Sequence, residues 1–207
     1  GAGTSGRLAV LDGTELHPTF GWPHERLAFC MAGGIEALTQ AREGAEDDVA
    51  AGQAAITDIG TGPGDVVIGV AASGRTPFTL AAITEARAAG AMTIAIANNP
   101  GTPLLAAAEH PLVAATGSEL VSGSTRMKAG TAQKAVLNLL STAIMVRRGL
   151  VFDGRMVAMR ISNAKLLGRG RAMVADIAGV DADTAARALA TAQDDIRLGV
   201  LIAQHAE

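Results

Sequence analysis

The amino-acid sequence predicts an α/β fold, a three-layer sandwich in which a mainly parallel sheet lies between helices, followed by a helical C-terminal tail. Short apolar runs alternate with longer helical patterns along the chain, which is typical of parallel sheets covered on both faces. Three loops rich in Gly, Ser and Thr each lead into a helical pattern. After Gly149 the sequence becomes basic and helical. We therefore expect one domain at 1–150 and a helical extension at 151–207.

The individual elements follow from this pattern. The pattern predicts strands at 65–70, 92–97 and 110–114, and helices at 77–89 and 127–146. The stretch 34–59 is expected to be mostly helical, and a short tail helix to begin near Asp181, with Asp183 or Thr184 as N-cap. The chain opens on a loop, 1–7, of the kind that follows a buried strand, so we expect an upstream strand to be missing from it.

The loops have the composition of phosphate-binding turns. Right-handed crossovers place such loops at the carboxyl ends of parallel strands, where open α/β sheets bind ligands. Helix N-termini offer backbone N–H groups, small hydroxyl residues add donors, and glycine allows close approach of the main chain. The segments Thr4-Ser5-Gly6 and Ser73-Gly74-Arg75-Thr76 meet this description. The sequence therefore favours a phosphate monoester as ligand.

Two nucleotide-binding motifs are disfavoured. No GxxxxGK[ST] motif is present, which argues against nucleoside triphosphates. Gly1, Gly3 and Gly6 match GxGxxG, but the segment around residue 25 is GWPHE, without the acidic strand end that would bind a dinucleotide ribose. We therefore interpret these glycines as a tight strand–helix turn rather than as a dinucleotide site.

Composition excludes further classes. The net charge is −3 and aromatic residues make up 2% of the chain, which disfavours nucleic acid. Cys30 is the single cysteine and lies in an apolar stretch, so we interpret it as a small buried hydrophobe rather than a catalytic thiol. The four scattered histidines suggest no metal site. The longest uncharged apolar stretch, 135–146, is too short for a membrane span. With no secretory signal recognised, we expect a cytoplasmic protein.

Four segments carry a resemblance to a known family. They are GAGTSGRLAVLDGTELHPTFG, EGAEDD, IGVAASGRTPFTLAA and TGSELVSGSTRMKAGTAQKAVLNLLSTA. Together they resemble the N-acetylmuramic acid 6-phosphate etherases, lyases built on a sugar-isomerase (SIS) domain of the flavodoxin/Rossmann-like type. The resemblance implies cleavage of the D-lactyl ether of N-acetylmuramic acid 6-phosphate during cell-wall sugar recycling. It implies elimination followed by addition of water, without a cofactor or metal. The related glucokinase regulatory proteins share parts of these motifs.

The resemblance also implies two catalytic glutamates. The family's proton donor falls on Glu15 and its second acidic residue on Glu46. The chemistry independently requires such a pair, because a proton alpha to a carbonyl must leave while a poor alkoxide leaving group is protonated. Taken without the resemblance, Glu15 is better interpreted as a surface residue that closes a short helix, and Glu46 as the head of an acidic run that suits a helix N-terminus. Which glutamate is the acid stays open on the residues alone.

Further residues are candidates for binding the substrate. They are Thr4, Ser5, Ser73, Gly74, Arg75, Thr76, Glu119, Ser124 and Lys128. Glu119 is expected either to orient the ring-opened sugar or to lie on the rim as a solvated carboxylate. Arg75 is either a phosphate ligand or the partner of a carboxylate, and Lys128 either completes the site or is a surface lysine.

Two other functions and an assembly state complete the expectations. A non-catalytic phosphosugar sensor needs the same loops without a proton-transfer pair, and a phosphosugar isomerase needs a single base. We expect a homodimer, because the apolar helix at 127–146 leaves apolar surface on a monomer. The basic residues of the tail are interpreted as a solvated face beside a partner subunit rather than as an anion-binding track; they are Arg155, Arg160, Lys165, Arg169 and Arg171.

Overall fold

The structure is a computed structural model that describes residues 1–205. Backbone contacts divide the chain into two compact units. The first unit comprises Gly1–Asp12 and Ala28–Leu140, and the second comprises Gly13–Leu27 and the chain from Ser141 onward. The domain boundary expected at residue 150 stays a prediction. No helix within the described residues is long and apolar enough to cross a membrane.

The described residues form eight α-helices. They are α1 (Gly3–Phe20), α2 (Val49–Thr57), α3 (Pro77–Ala88), α4 (Pro103–Ala107), α5 (Lys128–Arg147), α6 (Ala164–Ala178), α7 (Ala182–Thr191) and α8 (Ile196–Gln204). Short 3₁₀ helices occur at His24–Arg26, Ile35–Leu38 and Ala45–Asp47. Helices α1 and α5 contribute residues to both units.

The first unit contains a parallel sheet. Its strands are β1 (Val66–Val70), β2 (Met92–Ala97) and β3 (His110–Val113), in the order β1-β2-β3. Val66 lies opposite Met92, and Ile94 lies opposite His110. Because every pair is parallel, the carboxyl ends of all three strands meet at one edge, which is where the phosphate-type loops were expected.

Helices cover both faces of the central strand. Ile96 packs with Val70 and with Leu137 of α5 on one face, and Ala95 packs with Ile83 of α3 on the other. Side chains that alternate along a strand point to opposite faces, so the apolar run of β2 is buried from both sides. The predicted α/β fold, with a parallel sheet among helices and a helical C-terminus, is confirmed.

Several predicted bounds change. α1 begins at Gly3, so Thr4–Arg7 form its first turn rather than a loop. The stretch 34–59 contains two 3₁₀ helices and α2 instead of being mostly helical, because Gly33, Gly34 and Gly44 adopt positive φ angles that interrupt a helix. The N-cap of α7 is Asp181, whose carboxylate accepts a hydrogen bond from the Thr184 N–H. The prediction that Asp183 or Thr184 is the N-cap was therefore wrong.

The second unit has its own apolar core. Val174 of α6, Leu189 of α7 and Ile196 of α8 are almost fully buried in one cluster. Each of these helices begins at a side chain that accepts a hydrogen bond from a backbone N–H three residues later, Asn163, Asp181 and Asp195 in turn. Such caps satisfy N–H groups that the first turn of a helix leaves unpaired.

Helices α2 and α3 approach so closely that residue 52 has to be glycine. A Cβ atom placed on Gly52 would lie 2.4 Å from the Phe78 carbonyl oxygen. Gly52→Ala is therefore expected to lower the free energy of unfolding by about 1–3 kcal/mol, the usual range for overpacking. Urea unfolding followed by circular dichroism measures the change.

Gly168→Ala is the matched control, because Gly168 is also a helix interior glycine and a Cβ there meets nothing within 4 Å. Because no clash opposes the substitution, only the higher helix propensity of alanine affects stability, and the free energy of unfolding should rise by about 0.5–1 kcal/mol. Equal stabilisation by both substitutions would contradict the tight α2–α3 packing.

Candidate functional site

The loop between β1 and α3 holds four of the predicted substrate-binding residues in one turn. The Arg75 N–H donates to the Ser73 hydroxyl at 3.2 Å. Gly74 has a φ angle of +64°, and a Cβ there would lie 2.2 Å from the Thr102 hydroxyl oxygen. Only glycine fits this position, because both the conformation and the space exclude a side chain. Ser73 and Arg75 are exposed beside it, and Thr76 is half-buried.

The turn ends at the N-terminus of α3. Thr76 occupies the N-cap position and Pro77 the first helical position. Within the described residues, the Thr76 side chain makes no capping hydrogen bond. N–H groups of the first helical turn have no partner inside the helix and carry partial positive charge. The turn 73–76 and the start of α3 therefore suit an anion.

The first turn of α1 lies at the same edge of the sheet. A Cβ on Gly1 would approach the Val70 carbonyl oxygen to 2.9 Å, which places the start of the chain at the carboxyl end of β1. Gly130 of α5 approaches the Thr4 side chain closely. Ser5 is buried and Thr4 is half-buried. The structure thus brings Thr4 and Ser5 between the tip of β1 and the start of α5.

The Glu119 side chain caps α5, a role that the sequence did not indicate. Its two carboxylate oxygens accept from the backbone N–H groups of Lys128 and Ala129, both at 3.0 Å. The Lys128 ammonium donates to the Ser118 carbonyl at 2.7 Å, and the Ser124 N–H donates to the Val121 carbonyl at 3.0 Å. Both carboxylate oxygens of Glu119 thus accept hydrogen bonds from α5. That Glu119 orients the ring-opened sugar stays a prediction.

The cap makes stability depend on pH. The hydrogen bonds from Ala129 and then Lys128 lower the pKa of Glu119 below 4.5, its ordinary value. A lowered carboxylate pKa stabilises the fold above the unfolded pKa, and this contribution disappears as the pH falls through the folded pKa. Glu119→Gln should therefore unfold at a lower urea concentration at pH 7, and the difference from the parent should shrink below about pH 4.5.

Glu43→Gln is the control for this measurement, because Glu43 is exposed and belongs to no helix cap. It should leave the urea midpoint unchanged at both pH values. A Glu119→Gln midpoint equal to that of Glu43→Gln at pH 7 would contradict the capping role.

A buried amide pair organises the same edge, and sequence reasoning missed it. Asn98, directly after β2, donates to the Ala114 carbonyl at 2.9 Å and to the Ala129 carbonyl at 3.4 Å. Its side-chain oxygen accepts from the Gln133 amide at 2.8 Å. These bonds tie the end of β2 to the loop after β3 and to the start of α5. A polar pair, Asn98-Asn99, at the end of an apolar strand was the available signal.

Glu46 lines a cavity of about 190 Å³ in the first unit. Gly3 and Arg7 of α1 and the exposed Glu43 line it as well. The Arg7 Nε donates to the Ala37 and Leu38 carbonyls at 3.0 and 3.1 Å, which fixes the guanidinium on the wall. Glu46 is itself exposed within the 3₁₀ helix Ala45–Asp47. The structure therefore brings Glu46 together with the start of α1.

Glu15 lies later on α1 and is exposed. The part of α1 from Gly13 onward belongs to the second unit. The proximity of Glu15 to Glu46 therefore stays a prediction.

Comparison with known proteins identifies the family to which this chain belongs. The sequence profile of the glucokinase regulatory protein N-terminal SIS domain matches residues 1–87, and that of the SIS domain matches residues 55–143. A curated protein of Deinococcus radiodurans is 54% identical over 98% of this chain and 66% of its own length. A protein of Symbiobacterium thermophilum is 50% identical over 97% of this chain and 67% of its own length. A protein of Aeromonas hydrophila subsp. hydrophila is 46% identical over 98% of this chain and 68% of its own length. Each is named N-acetylmuramic acid 6-phosphate etherase.

The chain belongs to the N-acetylmuramic acid 6-phosphate etherase family. It spans 66% of the length of the first of these relatives. The family resemblance expected from the four sequence segments is confirmed, as is the SIS domain. Within this etherase-family chain, the turn 73–76 and the start of α5 fall inside the SIS match, and Glu15 and Glu46 fall inside the match to the regulatory-protein domain.

Metal-ligating side chains and the Cys30 thiol were the other candidates for chemistry that the sequence raised. Among the described residues, no group of three or more His, Cys, Asp and Glu side chains is placed to hold a metal ion. The Cys30 thiol is half-buried and donates to the Ala55 carbonyl. Burial raises the pKa of the Cys30 thiol, which lowers its thiolate fraction and hence its nucleophilicity.

Proposed function

We propose that this protein is a carbon–oxygen lyase that converts N-acetylmuramic acid 6-phosphate and water into N-acetylglucosamine 6-phosphate and D-lactate. The names of relatives 46–54% identical to the chain support this activity. The structural observation that carries it is the cavity in which Glu46 meets the first turn of α1. A carboxylate close to a helix N-terminus combines a proton acceptor with an anion site.

The phosphate group is proposed to bind at the strand tips. Ser73, Gly74, Arg75 and Thr76 offer a hydroxyl-rich turn before α3, and Thr4 and Ser5 lie in the first turn of α1. Unpaired N–H groups at both helix starts favour a dianion. Ser124 and Lys128, at the start of α5, are proposed to contact the rest of the sugar, as is Glu119 once its carboxylate is displaced from the cap.

The reaction is proposed to proceed by elimination and addition. In the ring-opened sugar, Glu46 removes the C2 proton, which is acidic because C2 lies next to the C1 aldehyde. The electron pair forms the C2–C3 double bond while the C3–O bond breaks, and Glu15 protonates the departing D-lactate oxygen. Water then adds to C3, and C2 regains a proton. Each glutamate acts as a general acid or base, which contributes about 10²–10⁴-fold to the rate.

The protein is proposed to act as a cytoplasmic homodimer. Leu139, Ile144 and Val146 of α5 are 71%, 40% and 47% exposed. Exposed apolar side chains on one long helix favour contact with a second copy. Multi-angle light scattering is expected to give the mass of a dimer, and a stable monomer would contradict it.

Incubation of the full-length protein with N-acetylmuramic acid 6-phosphate, followed by an enzymatic D-lactate assay, tests the function. D-lactate should appear in step with N-acetylglucosamine 6-phosphate. Absence of D-lactate at micromolar enzyme, with folding confirmed by circular dichroism, would reject the lyase. Binding without turnover would then favour a phosphosugar sensor, and ketose phosphate products would favour an isomerase.

A further inference from the structure

The second unit contains a larger cavity, of about 580 Å³, that the proposed reaction does not use. Its charged lining residues are Arg26, Arg148, Arg160, Arg197, Asp194 and Asp195. Four arginines against two aspartates leave an excess of positive charge. None of the residues assigned above to ether cleavage or substrate binding lines this cavity.

Trp22 organises two of the arginines. The guanidinium carbons of Arg26 and Arg148 lie 4.9 and 5.1 Å from the Trp22 ring centroids. Cation–π contacts of this kind hold guanidinium groups in place. Both arginines are exposed to solvent, and their contact with the Trp22 ring positions the two cationic groups on one wall of the cavity.

The wall that carries Trp22 is closely built. Gly21 has a φ angle of +65°, and a Cβ there would lie 2.8 Å from the Ala158 carbonyl oxygen and 3.7 Å from the Arg160 side chain. The Arg160 N–H donates to the Pro18 carbonyl at 3.2 Å. Arg160 is exposed, as expected from the sequence, and it also lines the cavity beside the end of α1, whereas Arg155 pairs with Asp153 and Asp176.

One of the two aspartates is already engaged. The Asp195 carboxylate accepts from the Leu198 N–H at 3.0 Å as the cap of α8, and its other oxygen lies 3.8 Å from Arg197. Arg197 is therefore held near its own counter-ion. The positive charge available to a ligand comes mainly from Arg26, Arg148 and Arg160.

We propose that this cavity binds a small phosphate ester. Guanidinium groups bind phosphate oxygens in pairs with matched geometry, which makes clustered arginines typical of phosphate sites. The volume lies within the range of about 300–1,000 Å³ that is usual for small-molecule sites. The Trp22 ring provides an apolar surface for the organic part of the ligand.

Trp22 is the single tryptophan of the sequence, so its fluorescence reports on this cavity. Titration of the protein with inorganic phosphate, N-acetylglucosamine 6-phosphate and D-lactate is expected to give a saturable change with the two phosphates and none with D-lactate. Trp22→Phe, titrated in parallel, provides the background. Absence of a saturable change up to about 10 mM phosphate ester, the limit of a weak site, would overturn the proposal.

Substitutions locate the binding. Arg160→Ala should weaken phosphate-ester binding by at least about tenfold, because one charge-assisted contact is lost. Arg148→Ala, followed by calorimetry because it also alters the surroundings of Trp22, should do the same. Arg171→Ala removes the same charge from an exposed position of α6 outside the cavity lining and should change nothing. Equal affinities of Arg160→Ala and Arg171→Ala, or equally tight binding of D-lactate, would overturn the proposal.

Arg75→Ala should leave the fluorescence titration unchanged, because Arg75 lies in the first unit, in the turn proposed to hold the substrate phosphate, and does not line this cavity. Loss of the titration in Arg75→Ala would assign the signal to the proposed reaction site and reject a separate one. A protein that releases no D-lactate but shows the Arg160-dependent titration would reject the lyase and keep this proposal.

Discussion

Glu46→Gln is expected to reduce the rate of D-lactate release at saturating N-acetylmuramic acid 6-phosphate by about 10²–10⁴-fold, the usual contribution of a general base. The amide keeps the size and shape of the carboxylate but does not accept the C2 proton. Glu46 is exposed and forms no part of an apolar core, so the fold should be unaffected. The coupled D-lactate assay measures the rate, and circular dichroism verifies folding.

Glu43→Gln is the control for this loss, because Glu43 lines the same cavity and is also exposed. It should retain most of the activity. Glu15→Gln should lose activity on the scale of Glu46→Gln, since the poor leaving group then departs without a proton. Similar rates for Glu43→Gln and Glu46→Gln would contradict a specific role for Glu46.

Asn98→Ala is expected to lower the free energy of unfolding by about 2–4 kcal/mol, because burying unpaired polar groups costs about 1–3 kcal/mol for each group. The substitution removes the bonds to the Ala114 and Ala129 carbonyls and leaves the Gln133 amide without its acceptor. Gln133 is fully buried, so water does not readily replace the lost partner. Urea unfolding measures the effect.

Asn99→Ala is the neighbouring control. Asn99 is exposed and makes one side-chain bond, to the Ala72 carbonyl at 2.9 Å. Its replacement should cost about 1 kcal/mol, as expected for a single, partly buried hydrogen bond. Equal costs at the two positions would contradict the organising role given to the Asn98–Gln133 pair.

β2 was predictable because it is buried on both sides, whereas most residues of β1 and all residues of β3 are exposed or half-buried. β2 lies at the predicted bounds, since five of its six residues are apolar and the strand is followed by two asparagines. α4 was missed because five residues are too few to show a helical period. Its one signal was Thr102 followed by Pro103, a combination that suits a helix start.

The start of α1 was not predictable from local pattern. Three glycines within six residues usually indicate a loop, and glycine disfavours helix by about 1 kcal/mol. The helix forms there because Gly6 packs where a Cβ would lie 2.4 Å from the Met31 sulfur and 2.7 Å from the Gly1 carbonyl oxygen. A close tertiary approach therefore overrides propensity at this point.

The candidate site was predictable in its loops but not in its contacts. Sequence placed the turn 73–76 and the start of α5 at strand tips, since topology alone determines that. The Glu119 cap and the Asn98–Gln133 pair join residues that are 9–10 and 35 positions apart. The cavity lined by Arg26, Arg148, Arg160 and Arg197 combines four separate segments of the chain. Contacts of this kind depend on the folded packing and leave no local sequence pattern.

The division of roles between Glu46 and Glu15 is tested most directly by exchange of the C2 proton of N-acetylglucosamine 6-phosphate in D₂O, followed by proton NMR. Exchange needs a base at C2 but no acid at the leaving oxygen. The parent protein and Glu15→Gln should therefore exchange this proton, and Glu46→Gln should not. Exchange by Glu46→Gln at the rate of the parent protein would contradict the assignment of Glu46 as the base.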